Sequence, residues 1–430
     1  MFQYRLSVLP PSDPLTPDVA TTFFWHSKQT MPYFHANVGP LLGEYGPVKS
    51  RNIDLVRIAA AVLAADRSAS RSGRLSSWNQ REIALTIDVL AVTPWNEVKD
   101  DVERLLGFLT GDVWSLTFRR EHGLPEQMGR VGIDAARVVL LSGGADSATG
   151  ALLSARELVG RNEQQILVSH WASTNLSHLQ HEVANEIERL APGSTADHVR
   201  AHIARGRHAP DGTAYGRENS TRSRSLLFIA VGLAIASVDE LPLWLPENGY
   251  ASINPPLSKS RRGSLSTKTT HPKFIGDLVR ILKRVGAHHD VTNPYADRTK
   301  GEMFSQVTDA IGTAAASTYL SMTSSCSHTG ARSYGIGPGV FCGVCFGCVL
   351  RRASFIASDL HDGSQYLEPQ DDKQRNWLTR KSVIPPMRDF LAESFGEDDL
   401  ARLQIPPDLP LADVASLIER GRNELRRLDL

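Results

Sequence analysis

Two short stretches of this chain carry residue types that do chemistry. The first is Ser142-Gly143-Gly144-Ala145-Asp146-Ser147. Adjacent glycines let the backbone turn with positive φ, which aims successive N–H groups at one point. A helix starting directly after the turn adds free N–H groups and a partial positive charge, and the hydroxyls of Ser142 and Ser147 supplement them. Such a loop is a phosphate cradle. It is not a Walker loop, because no Lys-Ser/Thr follows the glycines. Asp146 would lie close to the phosphates, and a Mg²⁺ between them resolves the repulsion of like charges. Asp146 is therefore a candidate magnesium contact as well as a helix cap. An ordinary strand-to-helix turn with a capping Asp or Ser is the plainer reading of the same residues.

The second stretch is Cys342-Gly343-Val344-Cys345-Phe346-Gly347-Cys348, with Cys326 sixteen residues upstream. These are the chain's four cysteines. A disulfide scaffold would spread them out, so the clustering reads as a metal site in a reducing compartment. Four thiolates satisfy a tetrahedral Zn²⁺ with no open position, which makes a structural site, and Gly343 and Gly347 permit the turns around it. An iron–sulfur cluster also takes four cysteines. The ferredoxin-type run, however, places its fourth Cys and a Pro just downstream, where this chain has Val349-Leu350-Arg351. Zinc is the expected metal, with a cluster or redox-active thiols as alternatives. His328 lies close to Cys326 and is left out because four thiols complete the shell. His178/His181 and His198/His202 have helical ligand spacing but no visible third ligand, and exposed histidines on amphipathic helices are common.

These stretches need elements to hold them. Arg137-Val138-Val139-Leu140-Leu141 is a short apolar run, as in a strand buried on both faces, and residues 148–158 after the glycines form helix readily. A second strand is expected over 165–170, a helix over 176–190, a long apolar helix over 224–236 and a short strand at 243–245. Strands alternating with helices predict a doubly wound, mostly parallel α/β sheet. Before this, Phe2, Tyr4, Leu6 and Val8 alternate, as do Ile83, Leu85, Ile87 and Val89, and Trp114, Leu116 and Phe118. Helical patterns lie between them at 53–65 and 95–109, so residues 1–135 read as an N-terminal α+β domain. From residue 359 the composition turns polar, with an amphipathic helix at 412–428, giving a helical C-terminal tail over 359–430.

Composition narrows the classes. The 430 residues are about 41% hydrophobic and 22% charged, which excludes disordered and fibrous proteins. Lys+Arg and Asp+Glu are 47 each, so no general electrostatic grip on nucleic acid or anionic membrane is expected. The longest apolar run, Leu226 to Ala236, is about half of what a membrane-spanning helix needs. The first eight residues read as a strand and not as a signal peptide, so a cytoplasmic protein is expected.

Ser-Gly-Gly-x-Asp-Ser resembles the PP-loop of ATP pyrophosphatases, which cut ATP between the α- and β-phosphates, usually by way of a substrate adenylate. Paired with Cys326, Cys342, Cys345 and Cys348 and followed by Leu350-Arg351-Arg352, it resembles the QueC-like 7-cyano-7-deazaguanine synthase family. The resemblance spans residues 136–358, about half of the chain. It implies a PP-loop (HUP-like) ATPase domain that binds ATP at Ser142–Ser147, zinc through the four cysteines, and a deazapurine acid such as 7-carboxy-7-deazaguanine. In that family ammonia attacks the adenylate to give the amide, and a second ATP dehydrates it to the nitrile. Arg224 resembles the Arg of the family's Gly-Arg-Asn element, with Ser225 here in place of the Asn. Lys300 and Glu302 resemble its Lys-x-Glu element, and a Lys near the α-phosphate would stabilise charge as pyrophosphate leaves. Glu247-Asn248-Gly249-Tyr250 is a candidate purine-pocket segment, with Asn248, Tyr250 and Glu302 as substrate contacts; a plain surface turn is the alternative.

Two departures bear on the acceptor. Ser169-His170-Trp171-Ala172-Ser173 stands where the family has Tyr-Gly-Gln, and His178 and Glu182 are four residues apart where it has His-x-x-Glu. Long QueC-like proteins with an N-terminal extension resemble those of anti-phage operons, QatC and the QueC-like protein of type IV CBASS. For that group the resemblance implies that a partner protein's N-terminal amine replaces ammonia. The expected activity is ATP-dependent adenylation and amide transfer to such a partner. The alternatives are a nitrile-forming synthase and a catalytically retired scaffold in a defence complex. The basic segment Ser258 to Lys268 reads as a lid over ATP phosphates or as a solvated loop.

Overall fold

Alternating apolar residues in the first 120 positions build a sheet that buries one face on helices. The structure, a computed structural model, describes all residues except 10–19, 26–33, 37–45, 72–75, 78–79, 121–133, 172–173, 219–221, 256–267, 328–330 and 430. This first part contains β1 (Phe2–Ser7), β2 (Thr22–Phe24), β3 (Phe34–Ala36), α1 (Ser50–Ser68), β4 (Ser76–Ser77), β5 (Gln80–Val89), α2 (Val92–Glu97), α3 (Lys99–Thr110) and β6 (Val113–Arg120). β1 lies between β2 and β5, and β6 pairs with β5, all in parallel; only the two-residue β4 meets β5 antiparallel. Parallel neighbours need crossovers; α1 precedes β5, and the α2–α3 pair joins β5 to β6. The expected α+β arrangement is thus corrected to α/β in this region. The single helix expected at 95–109 is interrupted at Val98 (φ −112°, ψ 9°). In β6, Trp114, Leu116 and Phe118 are buried while the residues between them face solvent, as the alternation predicted.

The central part follows with β7 (Arg137–Leu140), α4 (Ala145–Val159), β8 (Gln165–Trp171), α5 (Thr174–Leu190), β9 (Thr195–Arg205), α6 (Arg224–Ala236), β10 (Leu243–Trp244), α7 (Gly249–Ile253), α8 (Pro272–Val285), β11 (Val291–Thr292), α9 (Lys300–Ile311), α10 (Thr313–Ser321) and α11 (Phe346–Ala357). The sheet order is β11-β10-β7-β8-β9-β3, parallel except for β3 on the outer edge of β9. The chain steps outward from β7 to β9, then returns past β7 to β10, so the order reverses between β7 and β10. Alternate side chains of the central strands enter different cores. Val138, Leu140, Ile166 and Val168 pack with α6, whereas Val139, Leu141 and Leu167 pack with α4, α5 and α9. Helices therefore cover both faces, as expected of a doubly wound sheet.

The first of those cores runs on into the N-terminal sheet, taking in α1 together with Ile83, Leu85 and Ile87. Buried charges cross the same junction. Asp66 accepts from Arg81 Nη2 (2.6 Å), from the backbone N–H of Arg222 (3.0 Å) and from the Ser223 hydroxyl (2.8 Å). Arg81 also pairs with Asp112 at 2.6 Å. The tail contributes α12 (Asp372–Lys381), α13 (Ile384–Ala392), α14 (Glu397–Ala401) and α15 (Leu411–Arg426). Val414, Leu417, Ile418 and Leu425 of α15 share a core with Tyr250 and Ile253 of α7 and with Val349 and Leu350 of α11. Among the described residues no helix is long and apolar enough to cross a membrane.

Candidate functional site

In an open α/β sheet, the point where strand order reverses leaves a crevice at the carboxyl ends of the strands. Here that crevice receives the Ser142–Ser147 loop after β7 and the Glu247-Asn248 segment after β10. A cavity of about 260 Å³ opens there, lined by the loop, by Glu247, Asn248, Thr270 and Lys300, and by Ser325, Phe346 and Gly347 beside the cysteines.

The loop is built from its own side chains. Gly143 has φ +85°, and a Cβ there would sit 3.3 Å from Gln180 Cγ, so glycine is the residue that fits. Ser147 Oγ accepts from the Ser142 N–H (3.0 Å) and donates to the Gly144 carbonyl (3.0 Å). The Ser142 and Ser147 hydroxyls meet at 2.9 Å, and the Gly144 N–H donates to Ser142 Oγ at 3.2 Å. Outside contacts hold the turn in place: Ser324 N–H donates to Gly143 O (2.9 Å) and Gln180 Nε2 to Ser142 O (3.1 Å). Helix α4 then begins without a side-chain cap. Its first helical bond is Ala148 N–H to Gly144 O at 3.0 Å, and the N–H groups of Ala145, Asp146 and Ser147 have no partner among the described residues. The two serine hydroxyls shape the loop, and these backbone donors are what it offers to an anion.

Asp146 is 8% exposed and held at both oxygens. Asn248 Nδ2 donates to Oδ1 at 3.1 Å, and Lys300 Nζ donates to Oδ2 at 2.5 Å. Asn248 is wholly buried and caps α7, its Oδ1 accepting from the Ala251 N–H at 2.8 Å. Glu247 faces the same cavity; burial, then the Asp146 carboxylate, push its carboxyl well above its ordinary range, and Lys300 opposes the shift. One ammonium and two carboxyl groups thus share the cavity, and both oxygens of Asp146 are already taken by Asn248 and Lys300.

Three other expected residues lie elsewhere. Arg224, at the start of α6, is exposed and donates from Nη2 to the His170 carbonyl at 3.4 Å, outside the cavity. Tyr250 is wholly buried under α15, where a Cβ at Gly421 would come within 2.3 Å of its ring. Glu302 completes the capping box of α9 with Thr299 and forms an ion pair with Arg420. The histidine pairs do not converge. His178 lies 3.5 Å from Glu182 at the surface, His198 Nε2 meets Ser169 Oγ at 2.8 Å, and His202 stacks on Trp171 at 4.0 Å. Ala172, Ser173, Ser258–Thr267 and His328 fall outside the described residues. Sequence reasoning gave no part to Gln180, Thr270 or Ser325; the one signal was that Ser325 precedes Cys326.

The four cysteine sulfurs lie within 4.8 Å of one another, the one such group of His, Cys, Asp or Glu among the described residues. Cys342 and Cys348 Sγ are 3.8 Å apart. Zinc–sulfur bonds of about 2.3 Å at tetrahedral angles place sulfurs about 3.8 Å apart, so the cluster could hold a zinc ion. Gly343 supplies the turn with φ +74°, and Cys345 caps α11. A Cβ at Gly347 would come within 2.1 Å of the Ser325 carbonyl, so glycine lets the two cysteine-bearing arms meet. Phe346 and Gly347 also line the cavity, which makes this knuckle one of its walls. Compared with protein-family models, curated proteins and solved structures, the chain matches none.

Proposed function

We propose that this protein is an ATP-dependent C–N ligase of the QueC-like, AMP- and pyrophosphate-forming type. Its substrate is a deazapurine carboxylate such as 7-carboxy-7-deazaguanine, and its acceptor is the N-terminal amine of a partner protein from the same operon, in anti-phage defence. The observation that carries the reading is the uncapped start of α4 at the sheet's reversal point, opening on a cavity that also holds the Asp146–Lys300 pair.

The substrate carboxylate attacks the α-phosphorus of ATP, the bond to the β-phosphate oxygen breaks, and pyrophosphate leaves. The amine then attacks the acyl carbon, AMP departs, and the ammonium proton passes to solvent. The free N–H groups of residues 145–147 bind phosphate oxygens, and the helix dipole adds to their pull. Lys300 offsets the charge that grows on the departing pyrophosphate. Mg²⁺ would neutralise phosphate charge, with Asp146 as its carboxylate contact. Cys326, Cys342, Cys345 and Cys348 would hold zinc with no open position, so the ion would brace the knuckle beside the cavity and take no part in the reaction.

The acceptor follows from the resemblance. The extension ahead of β7 shares a core with the central sheet. A partner docked on it would stand in a fixed relation to the adenylate, raising the effective concentration of its amine. An N-terminal amine, with a pKa near ~8, is less protonated at neutral pH than a lysine.

The test is direct. The purified chain with ATP, Mg²⁺ and 7-carboxy-7-deazaguanine should release pyrophosphate and AMP; orthophosphate without pyrophosphate would overturn the reading. Co-expression with the operon partner should leave that partner heavier by one acylated deazaguanine. An unmodified partner, with free nitrile accumulating from ammonia, would identify a synthase instead.

A further inference from the structure

The C-terminal helix α15 lies behind the cavity and touches both segments that hold Asp146. Its Glu424 meets the start of α9 on either side of Lys300. The carboxylate accepts from Thr299 Oγ1 with one oxygen and from the Gly301 N–H with the other, at 3.1 Å. The fit is close, since a Cβ on Gly301 would lie 2.5 Å from Glu424 Oε1. One turn earlier on α15, Arg420 pairs with Glu302 and donates to the Asp297 carbonyl at 2.9 Å. The two charged residues, at i and i+4 on one helix face, thus grip the whole turn 297–302.

The same helix seats the Asn248 segment. Gly249 has Leu417 Cδ2 and the Ala296 carbonyl 2.8 and 1.9 Å from where its Cβ would be, and the Tyr250 ring lies on Gly421. The Gly249 N–H donates to the carbonyls of Tyr295 (3.0 Å) and Arg298 (2.7 Å), which ties the two segments together.

We infer that Glu424 and Arg420 are positioning residues for Lys300, so that the C-terminal helix sets the geometry of the Asp146–Lys300 pair and is no mere appendage. A helix-start backbone fixed on both sides leaves the Lys300 side chain one course, into the cavity and onto Asp146. At that end of α9 the Gly301 N–H goes to Glu424 and the Glu302 N–H to Thr299 Oγ1 (3.2 Å), so α9 contributes chiefly its ammonium. For its activity readout the inference rests on the proposed ligase function; for its labelling readout it does not.

The test compares the full-length chain with its Glu424→Gln and Arg420→Gln variants. Lysine acetylation by a water-soluble active ester, read peptide by peptide by mass spectrometry, reports whether Lys300 is held. In the unaltered chain Lys300 is 4% exposed and paired, so it should react slowly. In Glu424→Gln its labelling should rise about tenfold relative to exposed lysines, with zinc content and far-UV circular dichroism unchanged. Pyrophosphate formation should lose about tenfold to 100-fold in kcat, with KM for ATP within about twofold, as misplacement of a catalytic group predicts. Arg420→Gln should show the same pattern more weakly, and Arg420→Lys should restore it in part. Lys300 labelling as slow in both Gln variants as in the unaltered chain would overturn the inference. If the unaltered chain forms no pyrophosphate at all, the ligase reading fails, while the labelling still decides this one.

Discussion

Two helices begin at the rim of one cavity, α4 at Ala145 and α9 at Lys300, and their first turns are finished in opposite ways. At α9 three donors are taken: Thr299 and Glu302 form a reciprocal capping box, and Glu424 takes the Gly301 N–H. At α4 the cap is Gly144, which has no side chain, and three backbone donors stay open beside the cavity. The first turn of α4 does carry an acid, Asp146, but its carboxylate is turned away to Asn248 and Lys300. A helix start left open by a glycine, with its own acid engaged by Asn248 and Lys300, leaves donors that an anion could use. A helix start closed three times over is prepared to hold one side chain still.

The sharpest way to break that contrast is to spoil the open end. Ser147→Ala removes the hydroxyl that the Ser142 N–H, the Ser142 hydroxyl and the Gly144 carbonyl all use. The loop donors should then lose their common aim, and pyrophosphate formation should fall about 10²–10³-fold, as when an oxyanion donor is lost. Melting temperature should change little, because the sheet core is untouched. A variant with full turnover would show that the loop does not bind phosphate.

The closed end should respond in the reverse sense, in stability more than in chemistry. Thr299→Ala removes the N-cap and leaves Glu424 one donor short. The expected cost is ~1 kcal/mol, the usual value for a lost cap, or about 2 °C in melting temperature. Pyrophosphate formation should fall by much less than in Ser147→Ala. A turnover loss as large as that of Ser147→Ala would mean that the two helix starts do the same work.

Much of the open end was legible in the sequence, and most of the closed end was not. Ser142–Ser147 and the four cysteines are short contiguous signals, and local geometry alone nearly fixes what they build. The apolar run ahead of the loop and the helix at 224–236 follow from burial on both sides of a sheet. The alternation in β6 is likewise visible because period two needs no distant partner. By contrast, Asp146 and Lys300 lie 154 residues apart, and only the strand reversal brings them together. Tyr250 reads equally well as a flat pocket wall and as a core ring; the difference is made by Gly421 and α15, far along the chain. Glu302 carries a plain capping signature with Thr299, and that local signal proved the better guide to its surroundings. The eleven-residue β9 escaped notice although Val199, Ala201 and Ile203 alternate with Arg200 and His202, because the spacing of His198 and His202 also reads as helical.

The smallest expected effect concerns Glu247, and it tests whether the cavity is electrically balanced before any ligand arrives. With Glu247 protonated, Asp146 and Lys300 cancel. Ionising it leaves an excess negative charge in a site shielded from water. Burial and Asp146 raise its pKa well above the ordinary 4.5, so as pH rises through that value the unfolded chain loses this proton first. The folded protein then binds more protons than the unfolded one, and stability falls with rising pH until the folded carboxyl also ionises. Glu247→Gln removes the titration. The variant should therefore melt slightly above the unaltered chain near neutral pH, with the gap closing as pH is lowered towards 4.5. Buried histidines act in the opposite direction. His170 and His271, pushed down to about 4 chiefly by burial, cost stability as pH falls from 6.5 towards that value. That loss is common to both proteins, so the difference between their melting curves isolates position 247. A gap that stays constant from pH 4.5 to 8 would mean that Glu247 binds its proton equally in the folded and unfolded chains, and that its surroundings do not raise its pKa.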